Sequence, residues 1–120
     1  MSAGATIEVR ALRLQARIGV TDLELEVERD LVIDITIETA DNLATETDSI
    51  EDTVDYASVA RVARELATKE PHRTLERLAA KIAEAVATRF ETECVEVRCA
   101  KPSPPMEDRV AEVAVRVRSR

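Results

Sequence analysis

Apolar residues recur along this chain with two different periods. In "LVIDITIET", residues 31–39, Ile33, Ile35 and Ile37 alternate with Asp34, Thr36 and Glu38. That period of two predicts a half-buried strand. "CVEVRCA" (94–100) repeats the pattern with Val95, Val97 and Cys99 inward, and "VAEVAVRVRS" (110–119) sets Val113, Val115 and Val117 against Ala114, Arg116 and Arg118. "TIEVRALRLQARIG" (6–19) also predicts a strand, but its phase slips. Ile7 and Val9 share one face, and strict alternation would put Leu12 and Leu14 on the other. The switch near Arg10 and Ala11 predicts either a bulge or a strand buried unevenly.

Between these strand pairs the period lengthens to that of a helix. "DTVDYASVARVARELATKE" (52–70) gathers Val59, Val62, Ala63 and Leu66 into one stripe, with Asp52 or Thr53 as the candidate cap and Pro71 as the stop. "TLERLAAKIAEAVATRF" (74–90) does the same with Leu75, Leu78, Ile82 and Val86 behind a Thr74 cap. The order ββααββ predicts an α+β fold, a four-stranded antiparallel sheet covered on one face by two helices. The uncovered face carries Arg, Asp, Thr and Glu and is expected to be wet or to form a polar interface. A small sheet with open edges tends to close by association, which predicts an oligomer.

Composition narrows the picture further. A chain of 120 residues without repeat or linker is expected to form one domain over 1–120. Its only aromatic residues are Tyr56 and Phe90, so the core must be aliphatic. A formal net charge of −7 argues against a nucleic-acid partner and against an anionic membrane surface. No apolar run approaches the roughly 20 residues of a membrane span, and "MSAGATIEVR" lacks a secretion pattern. The expectation is a soluble, cytoplasmic protein. Cys94 and Cys99, five apart on one strand, point to opposite faces and cannot pair there.

Several chemistries drop out. His72 is the single histidine, so a zinc site of several histidines within one chain is excluded. No serine lies in a nucleophile elbow. With only Gly4 and Gly19, there is no glycine-rich phosphate loop. Carboxylate, lysine and tyrosine chemistry remains. Tyr56, in "DTVDYASV", is either an amphipathic ring at a helix start or a phenol that relays a proton. Glu76 is either a first-turn acid favoured by the helix dipole or a carboxylate that grips an N–C–N edge of a heterocycle. Glu24 belongs either to a solvated acidic loop or to a site. Lys101 either keeps a strand end soluble or works as an ammonium, followed by three prolines in four residues.

Taken in order, "IGVTDLELE", "DTVDYASV", "TLERLA" and "AKPSPP" resemble the dihydroneopterin aldolase family over essentially the whole chain, residues 6 to 118. The resemblance implies a tunnelling fold, whose ββααββ subunits join into a ring barrel, usually with two tetramer rings stacked as an octamer. It implies active sites between neighbouring subunits and no metal or cofactor. The implied reaction splits 7,8-dihydroneopterin, a pterin, into 6-hydroxymethyl-7,8-dihydropterin and glycolaldehyde. It also implies roles: Glu76 and the Leu75 backbone hold the pterin ring, Val54 is substrate-binding, and Tyr56 comes from the adjacent subunit and helps proton transfer. Glu24 binds near the side chain, and Lys101 is proton donor and acceptor. An epimerase of dihydroneopterin or its triphosphate, or a non-catalytic scaffold, are the rival readings. The chain departs from the family in "HRTLE" and in "PSPPMEDRVAEV", which has no glycine.

Overall fold

The computed structural model describes residues 1–119. Four strands, β1 (Ala5–Ala16), β2 (Arg29–Thr39), β3 (Cys94–Pro102) and β4 (Glu112–Ser119), form one antiparallel sheet in the order β1-β2-β3-β4. Two helices, α2 (Tyr56–Lys69) and α3 (Leu75–Arg89), cover one face, and α1 (Ala44–Thr47) adds a single turn. The expected α+β sheet and its two covering helices are therefore present. Ile33, Ile35, Ile37, Val95, Val97 and Cys99 are fully buried against Val59, Ala63, Leu78, Ile82 and Val86. The core is aliphatic, as the scarcity of aromatics requires. Among the described residues no helix is long and apolar enough to cross a membrane.

The phase slip in β1 resolves as a bulge. Register shifts between Val9 and Leu12, and Ala11 sits at φ 55. The extra residue turns Leu12 and Leu14 back to the face of Ile7 and Val9, so all four pack on the core rather than on two faces. The Ala11 N–H, lost to the strand ladder, donates to Asp34 Oδ1 at 2.6 Å. Asp34 also faces Arg98 at 3.7 Å, and Arg98 pairs with Glu112 on β4. The uncovered face is thus laced by charges rather than left as bare polar surface.

Helix α2 starts later than the sequence suggests. A 3-10 turn at Ile50–Asp52 intervenes, and Thr53 is extended, so neither Asp52 nor Thr53 caps α2. Asp55 does: its carboxylate accepts from Ala57 N at 3.1 Å and from Ser58 Oγ at 2.8 Å. Ala67 lies deeper than Leu66 on the buried stripe. The Thr74 cap on α3 stands, accepting from Arg77 N at 3.1 Å. Strand β1 ends at Ala16, and Ile18 continues only as an isolated bridge to His72.

Candidate active site

The sequence from Thr21 to Glu24 folds on itself. Glu24 N donates to Thr21 Oγ1 at 3.2 Å, and Thr21 N donates back to Glu24 Oε1 at 3.3 Å. This is the reciprocal pairing of a capping box, and it begins the 3-10 turn Glu24–Glu26. The box occupies one carboxylate oxygen. The other, Oε2, lies 3.5 Å from Lys101 Nζ, and both side chains are only 13% exposed.

Burial works to raise the Glu24 pKa, but the Thr21 N–H and hydroxyl and the Lys101 charge outweigh it and hold the carboxyl below its ordinary range. The Glu24 carboxyl is therefore an anion at neutral pH. Lys101 itself is fixed by strand pairing with Val113, one step before Pro102. The following loop is closed by Ser103 N donating to Ala111 O at 2.9 Å, with Ser103 at φ 47. The chain thus makes a left-handed turn here without glycine.

The loop carrying Glu24 is tied to the start of α3. His72 N donates to Arg17 O at 3.0 Å, and Gly19 N donates to His72 O at 3.1 Å. Arg73 Nη1 donates to Val20 O at 3.1 Å and its other nitrogen pairs with Asp22. Two residues after this tie, Leu75 is buried, and Glu76 is exposed in the first turn of α3. Glu24, Lys101, Leu75 and Glu76 therefore gather at one end of the molecule.

Tyr56 and Val54 do not join them. Helix α2 runs 14 residues from Tyr56 to the turn that precedes α3, about 20 Å at 1.5 Å per residue. Val54 is buried among Thr39, Asn42 and Phe90, at the opposite end of the sheet. Tyr56 stands beside it, 69% exposed. The candidate residues thus fall into two groups within a single chain, one at each end.

Sequence reasoning missed Thr21, Gly19 and Arg73, which hold Glu24 in place. The T-x-x-E spacing was a legible signal for the first. Nothing local marks Arg73, because its partners Val20 and Asp22 are distant in sequence.

A family model described as dihydroneopterin aldolase matches residues 7–118. The dihydroneopterin aldolase of Bacillus subtilis is 31% identical over 101 residues, spanning 82% of this chain and 83% of that protein. That of Haemophilus influenzae is 27% identical over 94 residues, spanning 78% and 80%. Among solved structures, the Escherichia coli dihydroneopterin aldolase in complex with neopterin superposes with a TM-score of 0.88 at 27% identity, over 96% of this chain and 98% of that one.

Proposed function

The chain belongs to the dihydroneopterin aldolase family, and from that premise we propose how its residues carry the reaction. It is an aldehyde-lyase of folate biosynthesis acting on 7,8-dihydroneopterin. The 2′ hydroxyl loses its proton, the C1′–C2′ bond breaks and glycolaldehyde leaves. The electrons pass into the C=N bond of the dihydropterin ring, and a proton then returns to C1′. The ring is itself the electron sink, so no imine with the protein is needed. The protein's task is to hold the ring and position proton carriers.

The observation that carries this reading is the largely buried pair of Lys101 and Glu24 at the end where α3 begins. The Glu24 carboxylate fixes the ammonium's position and binds near the side chain. Lys101 gives and takes protons there. Glu76, exposed and free of partners among the described residues, accepts from the 2-amino and N3 protons of the pterin, and the Leu75 backbone meets the same ring. Tyr56 and Val54 complete the site from the adjacent subunit, because within one chain they lie at the far end.

Association is favoured by what each end exposes. Val20, Leu23 and Val27 project beside Glu24, while Leu43, Ile50 and Tyr56 project at the other end. β1 and β4 are both open edges, so subunits pair edge to edge into a ring, as a tetramer or a stacked octamer. A cytoplasmic location accords with two free cysteines, Cys94 and Cys99. The direct test is to incubate the purified protein with 7,8-dihydroneopterin. Glycolaldehyde and 6-hydroxymethyl-7,8-dihydropterin are the expected products, and a protein that neither binds nor cleaves the pterin refutes the reading.

A further inference from the structure

Beside Lys101 the first residues of β2 open a cavity of about 290 Å³ lined by Gln15, Glu28, Arg29, Asp30 and Ser103. Arg29 stands out among them. Strand pairing with Ala16 fixes its backbone, and its Nε is buried without a hydrogen-bond partner among the described residues. No ion pair among the described residues includes it, although Glu28 and Asp30 flank it in sequence. A buried guanidinium nitrogen without an acceptor is costly unless something supplies one.

We infer that Arg29 recognises the hydroxyl-bearing side chain of the substrate, and that the acids around it set the preference for a neutral chain over its phosphate ester. The inference rests on the aldolase reading, which places that chain at Lys101. Arg29 supplies donors to the substrate hydroxyl oxygens. Glu28 and Asp30, the latter accepting from Gln15 Nε2 at 3.2 Å, supply acceptors for the hydroxyl protons. Donors and acceptors together suit a polyol. A phosphate dianion would meet Glu24, Glu28 and Asp30 as like charges, with only Arg29 and Lys101 to oppose them.

The test compares dihydroneopterin with the product 6-hydroxymethyl-7,8-dihydropterin, which keeps the ring but lacks the chain beyond C1′. Arg29→Gln is expected to lower kcat/KM for dihydroneopterin about tenfold and to leave the product's Kd unchanged. Arg29→Lys, which keeps one charged donor, should recover part of the loss. The wild-type protein should cleave dihydroneopterin better than its 3′-phosphate, and E28Q together with D30N should narrow that gap. Equal weakening of both ligands, no change in either, or a wild-type preference for the phosphate overturns the inference. A wild-type protein that binds and cleaves neither substrate removes the aldolase reading and this inference with it, and that result is distinct from all the others.

Discussion

Gly19 and Glu24 approach so closely that a Cβ on residue 19 would stand 2.3 Å from the Cβ of Glu24. No backbone peculiarity demands glycine at this position; the neighbouring side chain does. Gly19→Ala should therefore push Glu24 away from Lys101 while the fold survives, since the core lies elsewhere. The expected result is a loss of turnover with near-normal circular dichroism. Normal turnover by this variant would show that Glu24 can work from another position.

Removing the ammonium should separate chemistry from binding. Lys101→Ala is expected to lower kcat by about a hundredfold to ten-thousandfold, with product affinity retained within a few fold. Single-turnover kinetics alongside equilibrium titration would distinguish this from a collapse of the pocket, which would weaken both.

Mixing two inactive variants tests the shared site. In Lys101→Ala each chain keeps its Tyr56 end, and in Tyr56→Phe each chain keeps its Lys101 end. Co-refolded in equal amounts, the two should regain about a quarter of the wild-type sites, because one interface in four combines both intact ends. Persistent inactivity of the mixture would mean that each chain builds its site alone.

Ala11 occupies the left-handed region at the β1 bulge, where a Cβ is strained. Ala11→Gly should raise stability by about 0.5–1 kcal/mol, the relief exceeding the entropic cost of glycine. Chemical denaturation would read this as a higher midpoint with an unchanged slope.

His72 should make stability fall on mild acidification. Burial and the nearby charge of Lys81, whose Nζ lies 3.2 Å from Nε2, push its pKa down, with Glu70 opposing and Arg77 adding a smaller push. Below about pH 6.5, its ordinary value, the unfolded chain takes up a proton that the folded chain resists. Stability is therefore expected to decline from there until the folded imidazole titrates too. Unfolding midpoints measured between pH 7.5 and 5.5 should fall in the wild type and fall less in His72→Gln. The depressed carboxylates, Glu24 among them, lose their contribution only at lower pH.

Alternation in β2 and β3 and the stripe of α3 were legible because each follows a single local period. The slip in β1 was legible as a slip, but its outcome depended on Asp34, which accepts the orphaned N–H from a neighbouring strand. The cap of α2 was misread because the 3-10 turn before it leaves no periodic trace, and Asp55 is as good a cap residue as Asp52. Around the site, Glu24 and Lys101 were identifiable only through motif order. Their contact joins residues 77 positions apart (101 − 24), beyond any local pattern. Arg29 gave no sequence signal, since it reads as one more charge before a strand.

The exposure of Tyr56 has a spectroscopic consequence. The chain contains no tryptophan and no second tyrosine, so nearly all of its near-ultraviolet absorption and emission arises from this one ring. On the proposed reading, that ring meets the pterin held by an adjoining subunit. Quenching of the native emission would then report occupancy of the neighbour's pocket, without any label and without background from the aliphatic core.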